Sequence, residues 1–352
     1  MMGWDVGDEV SIGVEEYRRT VGEILQNVGI PGSDADVQAE LLLDGDLRGH
    51  HSHGIRRLPV LVERIRNGLI ATTADVRIEW RTDSFATVDG GWGLGAVVAH
   101  AAVDAVMGRA DSTGIAVAAV HGAGHVGMLA PHVERIAAGG QIGIALTTSE
   151  ALVHPWGGSQ ALIGTNPIGI AVPTLEVPLV LDMSTASVSM GRILEHLGRG
   201  RPIPDGWAVD QDGQPTNDAA AATRGAISPF GGAKGYALGL AFEAVVAVLT
   251  GTALGTGVRG TLDTTEPTTK GDVFLAVSLA RLGLEGALPA VTAWLEELRS
   301  SGVDPARPVT VPGDRSRALR AQRMADGVPL HRSTWTETLA LLASSAREAP
   351  HV

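Results

Sequence analysis

Ile115-Ala116-Val117-Ala118-Ala119-Val120 is an uninterrupted apolar run that opens, past His121, into Gly122-Ala123-Gly124-His125-Val126-Gly127. A short apolar run bounded by glycine reads as a buried strand. The glycine segment fits G-x-G-x-x-G, the fingerprint in which glycines let the backbone approach a pyrophosphate. Variable positions of such a loop carry no catalytic duty, so the His125 imidazole could instead reach a substrate. A nucleotide or a reacting carbonyl is therefore expected nearby. The opposing reading makes His125 an ordinary turn residue between strand and helix. A similar pattern, Gly91-x-Gly93-x-x-Ala96, also follows a strand and opens a helix, with Asp111 downstream. Two fingerprints cannot both hold one dinucleotide, and a chain with 46 glycines produces the pattern cheaply. The motif alone does not assign the fold.

Outward from this segment, strand and helix patterns alternate, which indicates an α/β chain. Toward the N-terminus, residues 85–88 read as a strand and residues 97–106 as a helix closing near Gly114. Ser33 with Asp36 forms a capping-box pattern for a helix running to about Leu47. After the polar knot Arg48-Gly49-His50-His51-Ser52-His53-Gly54, Pro59 suits the first turn of a helix that Gly68 ends. Toward the C-terminus, residues 128–138 read as a helix, 142–147 as a strand, and 155–173 as glycine- and proline-rich loops. A short strand ends at Asp182, a helix is expected over 184–194, and 198–223 reads as a long excursion. Gly231-Gly232-Ala233-Lys234-Gly235 opens an apolar helix at 236–249, followed by a strand at 273–277 and an amphipathic helix at 288–298.

Composition narrows the function. The chain has 352 residues, 44% of them apolar, which is ample material for buried cores. Its net charge of -12 opposes a nucleic-acid or anionic-membrane partner. Cysteine is absent, which removes disulfides, thiolate nucleophiles and zinc-thiolate sites together. The acidic stretch from Met1 to Glu16 lacks the basic-then-apolar pattern of a secretory signal. The apolar run at 237–249 is interrupted by Glu243 and reads as too short to span a bilayer. A cytoplasmic protein is expected. Of the 27 basic residues, only Lys234 and Lys270 are lysine. Lys234, in a glycine-rich turn, is read as the functional one and Lys270 as a surface survivor.

Several segments carry chemistry. His50, His51 and His53 invite a metal, yet no H-E-x-x-H helix and no clear third ligand accompany them, so no metal is expected. Ser52-His53-Gly54 with Arg56 or Arg57 reads better: an imidazole can protonate a forming alkoxide, and a guanidinium can grip a carboxylate through two parallel hydrogen bonds. Asp182-Met183-Ser184-Thr185 could hold a ribose hydroxyl or simply cap a helix. The Gly231 turn lacks P-loop spacing, but backbone N–H groups and Lys234 could hold a cofactor phosphate. Pro312-Gly313-Asp314-Arg315 is a turn whose arginine reads as surface or phosphate-binding.

Arg48-Gly49-His50-His51-Ser52-His53-Gly54, the Gly122 segment, Pro155-Trp156-Gly157-Gly158, Gly164-Thr165-Asn166-Pro167, Asp182-Met183-Ser184, Gly231-Gly232-Ala233-Lys234-Gly235-Tyr236 and Pro312-Gly313-Asp314 occur in one order. Together they resemble the non-Rossmann malate/L-lactate dehydrogenase family, over about three quarters of the chain. The resemblance implies an α/β fold of the family's own, with a mixed, largely antiparallel sheet flanked by helices plus a helical domain. It implies NAD or NADP, a small carboxylate substrate, and a homodimer. Domains are expected at 1–120 (helical, substrate side), 121–289 (cofactor) and 290–352 (returning onto the first). By analogy His53 is the proton donor with Ser52 beside it, Arg57 holds the substrate carboxylate, and His125 lines the pocket or is itself the acid/base. Ser149, Asp182, Met183, Ser184, Lys234, Gly313, Asp314 and Arg315 would contact the cofactor. Glu150, His154 and Asp314 depart from the family pattern at positions expected to face substrate or cofactor, and His154 is placed toward substrate. The activity implied is hydride transfer to or from C2 of a 2-hydroxy or 2-oxo acid or a cyclic imino acid. The alternatives are a catalytically silent dinucleotide-binding protein and a metal-dependent hydrolase.

Overall fold

The computed structural model describes residues 8–347, so residues 1–7 of the acidic stretch assessed for a secretory pattern lie outside it. β1 (Glu9–Ile12) pairs antiparallel with β12 (Val328–His331), joining the two ends of the chain. Between them α1 (Val14–Asn27), α2 (Gly32–Leu47) and α3 (Leu58–Arg66) gather around one apolar core. Tyr17, Leu25, Leu43, Leu58 and Val328 are fully buried there, and Trp335 of α12 (Arg332–Ser345) closes it. The Ser33 and Asp36 side chains do not cap α2. Pro31 sits at its N-cap, and no side chain bonds the first turn.

β2 (Arg77–Trp80), β3 (Phe85–Gly93), β4 (Ile115–Ala123), β5 (Gln141–Thr147), β6 (Ile168–Val172), β7 (Leu179–Met183) and β11 (Asp272–Ser278) form the main sheet in the order β2-β3-β4-β11-β5-β6-β7. It is mixed and largely antiparallel, as the resemblance implied: only β3 and β4 run parallel. That one parallel pair needs a crossover, and α4 (Gly95–Thr113) supplies it. α5 (Ala130–Ala138) sits close on β5 and β6 because glycine faces it. A Cβ built on Gly143 would lie 2.9 Å from the Ile136 Cβ, and one on Gly169 would lie 2.8 Å from the Leu129 Cβ.

The two glycine fingerprints meet each other. The Gly124 N–H donates to the Gly93 carbonyl at 3.0 Å, and a Cβ on Gly95 would fall 2.3 Å from the His125 carbonyl oxygen. Close backbone contact therefore accounts for these glycines. The first fingerprint also opens no helix, since α5 begins only at Ala130.

A third apolar core takes Ile203, Ala208, Ala219 and Ala222 from the stretch 198–223 that read as an excursion and packs them with Val153, Ile193 and Ile227. α6 (Met190–Gly198), β8 (Ala208–Val209), β9 (Pro215–Thr216), α7 (Ala219–Arg224) and β10 (Ala226–Ile227) build it. The helix expected from Ser184 starts later, capped by Ser189. Upstream, Thr185 N–H bonds the Thr165 carbonyl and Ser187 N–H the Ser228 carbonyl, so that backbone is committed elsewhere.

α8 (Ala233–Thr250) is longer than the sequence pattern suggested, and by length and apolar composition it could cross a membrane. It packs instead on β4, β11 and β5. Its buried Glu243 accepts hydrogen bonds from Gly164 N–H at 3.1 Å, Asn166 Nδ2 at 2.7 Å and Gly255 N–H at 2.5 Å. α9 (Leu279–Leu282), α10 (Leu288–Ser300) and α11 (Asp314–Asp326) complete the chain.

Candidate active site

The histidine knot is held from beneath by Asp46, which is fully buried at the end of α2. Its Oδ2 accepts from Tyr17 Oη and from the Ile55 N–H, both at 2.7 Å, and its Oδ1 lies 2.7 Å from His51 Nδ1. Gly54 makes this approach possible, since a Cβ there would sit 2.2 Å from the Asp46 carboxylate. The burial of one satisfied carboxylate thus fixes the short turns 51–53 and 55–57 that carry Ser52, His53 and Arg57. Among the described residues no group of three or more His, Asp or Glu side chains is placed to hold a metal ion.

His53 Nδ1 lies 3.0 Å from Ser52 Oγ, and its ring centroid is 5.6 Å from that of His125. Burial first, then Arg57 and His50, lower the His53 pKa to about 3. The same causes, burial and then Arg57, hold His125 well below its ordinary value, with His53 and Lys270 adding to the effect. His125 Nδ1 accepts the Gly127 N–H at 3.1 Å, so the neutral ring carries its proton on Nε2.

Arg57 Nη2 donates to the Thr261 carbonyl at 2.9 Å. Glu150 Oε1 accepts the Thr261 and Leu262 N–H groups at 2.8 and 2.9 Å, and its charge partly offsets the desolvation that lowers the Arg57 pKa. All these groups border a cavity of about 400 Å³. Its lining takes in Thr147, Thr148 and Ser149, at and just after the end of β5, and Asp182, Met183 and Ser184, at and just after the end of β7.

The structure therefore brings Ser52, His53, Arg57, His125, Ser149, Asp182, Met183 and Ser184 to one cavity. Within it, Asp182 Oδ2 accepts the Ala130 N–H at 2.8 Å at the start of α5, and burial raises its pKa to about 6. Ser149 Oγ accepts the Thr165 N–H at 2.9 Å. His154 is not among the lining residues. It is buried, with Nδ1 2.8 Å from the Pro155 carbonyl and Nε2 3.2 Å from Ser228 Oγ. Lys234 stands exposed in the first turn of α8, outside the lining.

Gly313, Asp314 and Arg315 also lie outside the lining but adjoin it. The Val180 N–H bonds the Pro312 carbonyl at 3.1 Å, which sets this turn beside β7, and burial first, then Arg315, lower the His50 pKa. Asp314 is engaged by Arg299 at 2.8 and 2.9 Å and by the Val311 N–H at 3.0 Å. Gly313 has φ +98° with Val180 against it, a conformation that favours glycine.

Lys270 reverses its reading as a surface survivor. It is 2% exposed, lines the cavity, and donates to both Asp272 carboxylate oxygens at 2.6 and 2.5 Å. Its retention as one of only two lysines was the available signal. Thr147, Thr148 and Thr165 also line the cavity, although no sequence motif points to the first two.

The donor set fits a nicotinamide dinucleotide. Hydroxyls of Thr147, Thr148, Ser149, Thr165 and Ser184 stand beside apolar Val126, Met128, Leu129 and Leu152, which suits a flat ring and a ribose.

The sequence profile of the malate/L-lactate dehydrogenase family matches residues 12–338. The malate/(S)-sulfolactate dehydrogenase of Methanothermus fervidus is 37% identical over 320 residues, 91% of this chain and 93% of that protein. A Delta(1)-pyrroline-2-carboxylate reductase of Burkholderia ambifaria is 32% identical over 342 residues, 95% of this chain and 98% of that one. The crystal structure of a dehydrogenase from Sinorhizobium meliloti superposes with a TM-score of 0.91 at 45% identity, covering 95% of this chain and 98% of the other. With the fold, the cavity and these likenesses in agreement, the chain is an oxidoreductase and belongs to the malate/L-lactate dehydrogenase family.

Proposed function

We propose that this enzyme moves a hydride reversibly between C4 of the nicotinamide of NAD or NADP and C2 of a small 2-hydroxy or 2-oxo acid, or of a cyclic imino acid. The reading is carried by one observation: His53, Arg57 and His125 share a cavity with Ser149, Asp182, Met183 and Ser184. Bound in this cavity, the reduced cofactor would supply the hydride. Arg57, steadied by the Thr261 carbonyl, presents its remaining N–H groups to the substrate carboxylate and fixes its orientation. Ser52 on Nδ1 sets the His53 ring so that Nε2 serves the reacting oxygen or nitrogen.

At rest His53 is neutral, because burial and Arg57 both disfavour its charge. A carboxylate on Arg57 cancels part of that repulsion, so acid binding raises the proton affinity of the imidazole. His53 takes up a proton from solvent as the acid binds, gives it to the substrate oxygen or nitrogen as negative charge develops there, and returns to the neutral ring. His125, with its proton on Nε2, donates a hydrogen bond into the same space.

The relatives' printed activities, on malate, sulfolactate and pyrroline-2-carboxylate, support a 2-oxo or imino acid here. The test is a panel of 2-oxo acids and cyclic imines assayed with both reduced cofactors, in the wild type and in His53→Ala. The variant should bind dinucleotide normally and lose about 10²- to 10⁴-fold in kcat. Normal turnover in the variant would contradict the role. Dinucleotide binding without turnover of any probe by the wild type would instead favour a silent binding protein. A homodimer and a cytoplasmic location belong to the same proposal. The first is supported by the exposed apolar side chains of α8, and the second by the absence of cysteine.

A further inference from the structure

The cavity wall beside Arg57 contains an arrangement that the proposed reaction does not by itself require. The peptide joining Thr261 to Leu262 is bonded at both ends: its N–H donates to Glu150 Oε1 at 2.9 Å, and its carbonyl accepts from Arg57 Nη2 at 2.9 Å. The Thr261 N–H adds a second bond to the same carboxylate oxygen at 2.8 Å. A carboxylate and a guanidinium thus grip one peptide plane from opposite sides, and each polarises it toward the other. The loop is anchored further by Arg64, which donates to the Asp263 and Glu266 carbonyls at 2.7 and 3.1 Å, and by Asn67, which donates to the Thr264 carbonyl at 2.9 Å. Its position relative to Arg57 is therefore determined from both sides of the cavity.

The charges that line this cavity matter as much as the geometry. Among its described lining residues, the side chains with formal charge are Arg57 and Lys270 against Glu150 and Asp182. Lys270 is bound by both oxygens of the buried Asp272, so its charge is already met. Arg64, which borders the adjoining pocket with His53, Arg57 and Thr261, has its N–H groups taken by the Asp263 and Glu266 carbonyls and the Thr268 hydroxyl, and the Asp263 carboxylate lies 3.9 Å away. Arg57 is the cation left for an anionic ligand, and Glu150 stands close enough to counter part of its charge. A substrate with one acidic group finds a partner in Arg57. A second acidic group would enter a confined space with no spare cation and a carboxylate in its wall, an unfavourable place for charge.

We propose that Glu150 is a positioning and specificity-determining residue: through the Thr261–Leu262 peptide it orients Arg57, and by its charge it restricts the substrate to a single acidic group. The inference rests on the dehydrogenase reading and selects within it, favouring monocarboxylic 2-oxo acids and cyclic imino acids over acids with a second carboxylate or sulfonate.

The test compares kcat/KM for pyruvate, 2-oxobutyrate and Δ1-pyrroline-2-carboxylate with that for oxaloacetate and 3-sulfopyruvate. It uses the wild type, Glu150→Gln and Glu150→Ala, and reduced-dinucleotide binding followed by fluorescence reports that each variant is folded. The wild type should favour the singly acidic probes. Glu150→Gln keeps an acceptor for the peptide and removes the charge, so the ratio of doubly to singly acidic kcat/KM should rise at least tenfold, mainly through KM. Glu150→Ala releases the peptide, so KM for singly acidic probes should rise, and Gln at the same position should restore it. A wild type that prefers the doubly acidic probes, or a ratio unmoved in Glu150→Gln, would overturn the proposal. Dinucleotide binding without turnover of any probe would remove the dehydrogenase reading, and this inference with it.

Discussion

His53 is held neutral by its surroundings, and that makes it a measurable element of stability. Its folded pKa of about 3 lies below the ordinary 6.5, so the folded state resists a proton that the unfolded chain accepts. The stability this neutrality supports is present above pH 6.5 and is lost as pH falls from 6.5 toward 3, with a slope of at most about 1.4 kcal/mol per pH unit. Asp182 works in the opposite sense. Its pKa is raised to about 6, so its contribution is present below 3.8 and is lost as pH rises through 6. Comparison with His53→Gln isolates the histidine: between pH 6.5 and 3 the wild-type urea midpoint should fall more steeply than the variant's. Parallel curves would show that His53 titrates normally. At this scale the sequence was readable where chemistry clusters locally, as in Ser52-His53 and Arg57. It misled for Lys270, whose nearness to His125 arises only because β11 lies beside β4.

Elements were legible where their pattern is local and their partners were not. α4, α5, β4 and β5 follow from apolar periodicity and glycine punctuation. Strand order did not follow, because a strand buried on both faces reads alike in parallel and antiparallel sheets. β11 enters between β4 and β5 from far along the chain, and β1 meets β12 across almost its whole length. The glycine fingerprints were visible, but their cause was not, since two loops approaching each other demand glycine as firmly as a pyrophosphate does. Gly95→Ala tests that cause. The added Cβ would meet the His125 carbonyl oxygen at 2.3 Å and the Gly124 carbonyl oxygen at 2.5 Å, backbone atoms that cannot swing away. A loss of about 1–3 kcal/mol in stability is expected, together with a fall in kcat as His125 is displaced. An unchanged melting temperature and kcat would mean that the contact is slack.

At the scale of the whole molecule, the described residues form three apolar cores, and a group of large apolar side chains is left exposed on α8. Leu238, Leu240, Val245 and Val248 of α8 are exposed, Val248 by 82%, and Lys234 and Glu243 are the helix's charged residues. A chain of net charge -12 repels its copies over most of its surface, and this helix exposes no acidic side chain, its exposed charge being the Lys234 cation. Sedimentation should therefore show a dimer that Val248→Glu weakens at least tenfold, whereas a monomeric wild type would refute the assignment of this face. Sequence resemblance anticipated the mixed sheet, the histidine-arginine end of the cavity and Glu150 in its wall, and the packing of distant segments supplied Thr261 and Lys270. The most direct test of the central claim, that His53 and Arg57 converge on an acid beside the nicotinamide, follows deuterium from the C4 position of a labelled reduced cofactor by NMR. Label appearing at C2 of the hydroxy or amino acid product, and lost in His53→Ala while dinucleotide binding persists, is the expected result. A product without deuterium at C2, or one labelled at the wild-type rate in the variant, would contradict it.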